Sequence, residues 1–381
     1  MARITNRLTT LRRDERGISN MLVGFGFIGF MASTVLALDV GWWVVARSQA
    51  QNSADSGALA GAVALVFNDF NNRSSNGPAV TSAVSAAQAN GIGNGKTIVP
   101  VQNVTFPLGP TGLNNRVGVL VERQIPTILG GMFGMQTMQS RAYAEAEASP
   151  ANAARCLLPF TLPDKWNEIT APPWSWDSFY EKYANNKGQL MNPRDQYRSG
   201  TKASGGTGYT TADKGTLIEL KTGNGGKVTP GVYNPWAIPG STGASDYEDA
   251  IAGCKTGTMA SGSHITLEPG NMVGPTSSGI QRLVNSDPGA RWDTSCNCVK
   301  GSAYGISPRI RPIPLYDPDK YEDGKQEGRN AEFEMVSFLG VFVVGMQGNS
   351  VIARVHPISA ETLKDPSLTP SSFAQSIRLV K

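Results

Sequence analysis

Two histidines, four cysteines and a cluster of carboxylates are the side chains of this sequence most able to do chemistry. His264 and His356 are the only histidines, which leaves a histidine-based active site little to build on. No Gly-x-Ser-x-Gly elbow surrounds any serine, so a hydrolase nucleophile of that type is excluded. Ser199 to Lys202 fits Ser-x-x-Lys, but the companion motifs of that chemistry are missing and chance explains the match. Gly95-Lys96-Thr97 mimics the end of a phosphate loop, yet its opening glycine would fall on Asn90. The residues that follow read as strand where a phosphate loop requires helix. Asp317, Asp319, Glu322 and Asp323 crowd one short stretch. A calcium loop would want an oxygen ligand at 321 and glycine at 322, where Tyr321 and Glu322 stand, so these carboxylates read as a solvated turn. No catalytic residue, metal ligand or cofactor is assigned.

The cysteines are Cys156, Cys254, Cys296 and Cys298. An even count in an exported chain reads as two disulfides. A one-residue gap argues against a Cys296–Cys298 bridge. The expected framework therefore joins one of these two to Cys254 and the other to Cys156, in either order. Histidine is absent around the Cys-Asn-Cys segment and there is no Cys-x-x-Cys, so a structural role is preferred to a metal or redox site.

Export follows from the elements that position these residues. Residues 21–38 read MLVGFGFIGFMASTVLAL, eighteen positions without a charge. At about 1.5 Å per residue the run covers roughly 27 Å, enough for a hydrocarbon core. Trp42 and Trp43 stand where an interface would fall. Arg3, Arg7, Arg12, Arg13 and Arg16 outweigh Asp14 and Glu15 before the run, and only Arg47 faces Asp55 just after it. The positive-inside rule then places the N-terminus in the cytoplasm and the bulk outside. The length of the run and its continuation past Asp39 favour an uncleaved single-pass anchor over a signal peptide. Net charge is +4 with 17% charged residues, and the excess sits in the basic tail. No basic stripe calls for nucleic acid.

The spacing predicts one helix from the membrane to about Phe67. Small residues recur along it at Gly29, Ser33, Ala37 and Gly41, then at Ser53, Gly57 and Gly61, a ladder that lets another backbone approach. Asp39 is expected to find its partner on a neighbouring chain or at the interface. Beyond a polar turn at 68–80, the pattern predicts a helix over Thr81–Asn90 and strands over Thr97–Phe106 and Arg116–Ile125. A short apolar helix after Pro126 and a strand over Gln139–Ala148 follow, the latter with Ala142, Ala144, Ala146 and Ala148 on one face. From Pro150 short apolar runs alternate with turn signals. Strands are expected at Gly215–Lys221, Ser263–Glu268, Glu332–Met346 and Val351–Val355, and helices at Trp176–Asn185, Asp246–Ala252 and Ser278–Asn285. The expected fold class is α+β: a long N-terminal transmembrane helix with a small pilin-like sheet region, then a strand-rich, disulfide-stabilised periplasmic domain. The expected divisions are a tail at 1–17, the helix and stem at 18–67, the small α+β region at 68–149 and the outer domain at 150–381.

Residues 38–62, with Arg16-Gly17 before them, resemble the N-terminal signature of TadE/TadG-like proteins of Flp, or tight-adherence, pilus assembly. Asp39, Gly41, Arg47, Gln51, Asp55 and Ala58–Ala62 match that pattern in order and spacing. The later stretches 159–166, 268–276 and 307–314 resemble a periplasmic extension of some members. The resemblance implies a non-enzymatic component of pilus assembly or initiation, anchored singly in a bacterial inner membrane. Its implied partners are the membrane, other pilus-assembly proteins or pilin-like helices, and further copies of itself. A surface adhesin sharing only the anchor is the alternative. Gly17 is followed five positions later by Leu22 rather than Glu, against prepilin-type cleavage. No Asp-x-Ser-x-Ser metal motif occurs.

Overall fold

The computed structural model describes residues 16–67, 72–90, 97–98, 100–109, 114–127, 130–169, 178–200, 205–222, 228, 232–240, 243–268, 272–326, 333–361 and 374–381. The basic tail before Arg16, Gly95-Lys96 of the phosphate-loop mimic and Thr201-Lys202 of the Ser-x-x-Lys match lie outside these residues.

Without proline and rich in alanine, residues 16–67 propagate as one helix, α1 (Arg16–Phe67, 52 residues). A second helix, α2 (Pro78–Ala89), opens with proline in its first turn, where the missing N–H costs nothing. Four strands follow: β1 (Thr97–Ile98), β2 (Val104–Thr105), β3 (Arg116–Pro126) and β4 (Thr137–Pro150). The strand expected over 97–106 is interrupted by a 3-10 turn at Val101–Asn103 just after Pro100. The short helix expected after Pro126 reduces, among the described residues, to a 3-10 turn at Gly130–Phe133. β3 and β4 pair antiparallel from Arg116↔Glu147 to Pro126↔Thr137.

The outer half of α1 and all of α2 lie on one face of this sheet. Ala50, Ala54, Ala58, Ala62 and Leu65 of α1 and Ala79, Ala83 and Ala87 of α2 form its core. Val117, Val119, Val121, Ala142, Ala144 and Ala146 face them from the strands. An alanine surface lets helix and sheet come close, so buried area is gained through small contacts.

The chain then builds a second region, a larger sheet accompanied by helices and by two separate two-stranded pairs. Its elements are β5 (Ala153–Ala154), β6 (Phe160–Pro163), β7 (Leu217–Thr222), β8 (Val232–Pro235), α3 (Ala244–Ala252), β9 (Met259–Ala260) and β10 (His264–Ile265). They continue with α4 (Val273–Ser286), β11 (Arg291–Asp293), β12 (Cys298–Lys300), β13 (Ile310–Tyr316), α5 (Pro318–Gln326), β14 (Phe333–Gln347) and β15 (Ser350–Val355). β14 pairs with β13 along Met335–Phe342 and with β15 along Val341–Gln347. β15 runs through β7, β8 and β6 back to β13. The ladder therefore closes on itself, which removes its edges. Alternate residues Ile313 and Leu315, Leu339, Val341 and Val343, and Val351, Ala353 and Val355 share one core with Tyr247, Ile251, Ile280 and Leu283 of α3 and α4. Gly340 lets β14 cross the next segment, since a Cβ there would fall 2.1 Å from the His356 carbonyl oxygen.

β13 was not foreseen. It carries Pro312 and Pro314, and proline inside a sheet removes a donor from the ladder its edge faces. The fold accepts them because both turn their N–H-less edge away from β14, with their carbonyls accepting from Leu158 N–H at 2.8 Å and the Thr161 hydroxyl at 3.1 Å on the β6 side, so the β13–β14 ladder needs no donor from either proline. Regular pairing with β6 is confined to Leu315 and Tyr316.

Three further expectations change. Residues 178–185 form no helix; Tyr183 bridges Leu190, and the Asp195 carboxylate takes the Glu181 N–H at 2.8 Å. The strand expected over Ser263–Glu268 shortens to β10. The acidic turn is instead the start of α5, with the Asp317 carboxylate accepting from the N–H groups of Asp319 at 2.8 Å and Lys320 at 3.0 Å. Asp-Pro-Asp was a legible start signal, a cap followed by proline at the first helical position. Finally, β16 (Ile358–Ser359) and β17 (Ala374–Leu379) return to the first sheet, where β17 pairs antiparallel with β4.

Candidate assembly interface

Along α1 no residue from Ile18 to Leu38 is buried, and Asp39 is the first that is. The two halves of the helix therefore face different surroundings. Ile18–Phe67 is the helix, among the described residues, long and apolar enough to cross a membrane. In its exposed half two hydroxyls stay on the helix's own backbone: Ser33 and Thr34 both donate to the Phe30 carbonyl, at 2.8 and 2.9 Å. That is how a polar side chain is tolerated where water is scarce.

The polar series marks the line where the chain's own packing begins. Asp39 Oδ2 accepts the Gly130 N–H at 2.7 Å, so its partner lies within the chain, a correction to the neighbouring-chain expectation. A charge at the end of the free segment is met by the first backbone donors of a turn. Trp43 Nε1–H points to the Gln139 carbonyl at 3.4 Å. Gln51 donates to Asp55 at 2.8 Å and reaches the Tyr143 carbonyl at 3.5 Å. Eight helix residues thus match four strand residues, since about 1.5 Å against about 3.3 Å of rise gives nearly equal lengths. Arg47 stays exposed, with its guanidinium carbon 5.7 Å from the Trp43 ring centre. Asp39, Gln51 and Asp55 serve the joint between stem and sheet, and Arg47 projects beside it.

The small-residue ladder divides at the same line. Gly29, Ser33, Ala37 and Gly41 are exposed, and a Cβ at Gly29 or Gly41 would meet nothing within 4 Å. Ser53, Gly57 and Gly61 are buried. A Cβ at Gly57 would lie 2.9 Å from the Ala83 carbonyl oxygen, and one at Gly61 2.7 Å from Val117 Cγ1. The close approach those two glycines permit is to α2 and β3 of the same chain.

The disulfides differ from the expected framework. Cys156 bonds Cys254, with Cα atoms 4.5 Å apart, and Cys296 bonds Cys298 at 5.2 Å. The one-residue gap is bridged because Asn297 takes a left-handed backbone, φ 52, a region asparagine tolerates. Around the first bridge Arg311 donates to the carbonyls of Cys156 at 2.7 Å, Gly253 at 2.6 Å and Ala250 at 3.4 Å. Burial pulls this guanidinium's pKa down to about 10, so it keeps its charge at neutral pH. Arg309 likewise serves the carbonyls of Val343, Asp287, Ala290 and Val344. The arginines of the 307–314 stretch are structural clamps. His356 is buried, its pKa down to about 4 by desolvation, and His264 is exposed on β10; the two share no site.

A second polar cluster surrounds Asp164. Its carboxylate accepts from Lys165 N–H at 2.9 Å and from the Tyr197 hydroxyl at 3.1 Å. Burial, with Asp317 adding repulsion, pushes its pKa up to about 7. The folded state therefore holds a proton that the unfolded chain has lost. This contribution is complete below about pH 4 and disappears as pH rises through about 7. Asp164→Asn keeps the shape and cannot ionise. Its stability relative to wild type should rise between pH 5 and pH 8 by a few kcal/mol at most, of order 1.4 per pH unit. Denaturant midpoints of both proteins at the two pH values read this difference, and parallel pH dependence would refute it. Neither this cluster nor any other among the described residues groups three metal-ligating side chains suited to an ion.

The fold and this interface define a class of chain: one long apolar helix, free over its first half and clamped over its second to a small sheet of the same polypeptide. Residues 17–64 match the Tad family model (TadE/G-like, Flp pilus assembly), and the match ends just before α1 does. Proteins of that family are pilus-assembly proteins and are generally non-enzymatic. The stretches at 159–166, 268–276 and 307–314 lie outside the matched residues. No curated protein and no solved structure matches the chain.

Proposed function

We propose that this protein is a non-enzymatic component of Flp-type pilus assembly or initiation, anchored by α1 in a bacterial inner membrane. The observation that carries this reading is the coincidence of the family match with a helix that leaves its apolar half unpacked up to Asp39. The N-terminus lies in the cytoplasm and the sheets lie outside, in the oxidising space that suits the two disulfides. The helix-on-sheet unit is pilin-like, and residues 150–381 form the outer domain, with β17 returned to the first sheet. Gly29, Ser33, Ala37 and Gly41 form the face that meets other pilin-like helices or a second copy within the bilayer.

A strain lacking the chain, complemented with wild type or with the pair Gly29→Leu and Gly41→Leu, tests this by electron microscopy of surface pili. Loss of pili, restored by wild type and not by the paired variant at equal membrane level, is the expected outcome. Normal pili with lost surface attachment would favour an adhesin that shares only the anchor. The confinement of the family match to residues 17–64 makes that the second reading. Normal pili and normal attachment would refute both.

A further inference from the structure

The two disulfides sit in unlike surroundings. Exposure does not separate them, since Cys254 and Cys296 are both exposed. The Cys156–Cys254 bridge closes a span of 98 residues and is held independently of its own bond. Arg311 grips the carbonyls of Cys156 and Gly253, Cys156 N–H reaches the Thr256 carbonyl at 3.4 Å, and β5 pairs with β9 alongside. With the bond open, those contacts keep the two thiols together and favour reclosure. The Cys296–Cys298 bridge spans two positions at the tip of β11–β12, a two-stranded ribbon paired with no other strand among the described residues. A left-handed backbone occurs in both bridges, at Asn297 (φ 52) and at Cys156 (φ 59), so what separates them is the Arg311 clamp and the β5–β9 pairing around Cys156–Cys254. Exposed bridges held in constrained loops are the more readily reduced ones.

The tip is also a fastener. Asn297 donates its amide to the Lys214 carbonyl at 2.9 Å and fills the space at Gly215, where a Cβ would fall 2.0 Å from its side-chain oxygen. Lys214 in turn donates its ammonium to the Phe67 carbonyl, at the end of the stem helix. Cys298 lines a cleft of ≈ 540 Å³ together with Ala60, Ala64 and Phe67 of that helix. The bridge thus stands at the seam between stem and outer sheet.

We propose that Cys296–Cys298 is a site of thiol–disulfide exchange with a dithiol reductant, and that opening it releases the ribbon tip from the seam. A thiolate of the dithiol attacks the exposed Cys296 sulfur. The Cys296–Cys298 bond breaks, and Cys298 leaves as a thiolate that takes a proton from water. The second thiol of the reductant then attacks the reductant's own sulfur in the mixed disulfide and frees Cys296. The cystine gains two electrons and two protons, and the dithiol closes to a disulfide.

The test uses the purified full chain in detergent, titrated with dithiothreitol, alkylated and mapped by mass spectrometry, with amide hydrogen exchange on the same samples. Cys296 and Cys298 should be alkylated at roughly tenfold less dithiothreitol than Cys156 and Cys254. At that point exchange should rise at 60–67 and 214–216 while β13 and β14 keep their protection. Joint opening of the two bridges, or earlier opening of Cys156–Cys254, overturns the exchange site. Selective opening with unchanged exchange overturns the release. The C296S/C298S variant, checked for retained β13–β14 protection, should show the raised exchange without reductant, and wild-type exchange in it would count against release as well.

Discussion

Leucine in place of Gly61 should destabilise the stem-on-sheet layer by about 2–3 kcal/mol, the cost of forcing a large side chain into a filled core. Even a single Cβ there would sit 2.7 Å from Val117 Cγ1 and 3.0 Å from Ala83 Cβ. Neither neighbour can yield, because Ala83 belongs to α2 and Val117 to the central strand β3, both wholly buried. The contrast with Gly41 makes the experiment informative. Its Cβ position is open, so Gly41→Leu should leave the denaturant midpoint in detergent unchanged while disturbing assembly in the membrane. The two variants separate a glycine needed to fold from one offered to a partner. Equal midpoints for Gly61→Leu and wild type would show that the stem does not pack as described.

Arg311→Ala should cost about 2–3 kcal/mol, since it strips a charged donor from three carbonyls at once, and an orphaned buried acceptor costs about 1–3 kcal/mol while the two partly buried ones regain some water. Two of the three, those of Ala250 and Gly253, lie at the end of α3, where carbonyls lack partners within the helix. The Cys156 carbonyl adds a backbone that is itself left-handed, φ 59. Arg311→Lys should recover only part of the loss, because one ammonium cannot reproduce the fork that reaches these separated oxygens. Chemical denaturation with the disulfides intact measures both variants. An alanine variant as stable as wild type would show the clamp to be dispensable.

Much of the helix was open to sequence reading. An uncharged run, no proline and an alanine-rich continuation fix α1 through Phe67 by local preference alone. The clean alternation around Ala142–Ala148 gave β4, and the apolar runs before and after Gly348 gave the β14–β15 hairpin, because a strand half-exposed or bounded by turns shows its period. β13 escaped because prolines, lacking an N–H, contradict a strand until the edge they turn away from their long partner β14 is known. α5 escaped because its carboxylates were weighed as ligands, whereas one of them caps a helix. The closed ladder had no local signal: β6 beside β13 and β7 beside β15 are long-range pairings that no window of sequence contains.

The candidate interface divides the same way. From the sequence alone came the long apolar helix able to cross a membrane, the polar series and the small-residue ladder, all local to one helix and read by its periodicity. The tertiary structure decided what each residue touches. It gave Asp39 to Gly130 and Gly57 and Gly61 to α2 and β3, and left Gly29 and Gly41 free of this chain. It also paired each cysteine differently from expectation, because Cys156 meets Cys254 only once strands far apart in the chain are packed. Which side chains face inward is a property of a helix; which partner waits there is a property of the whole fold.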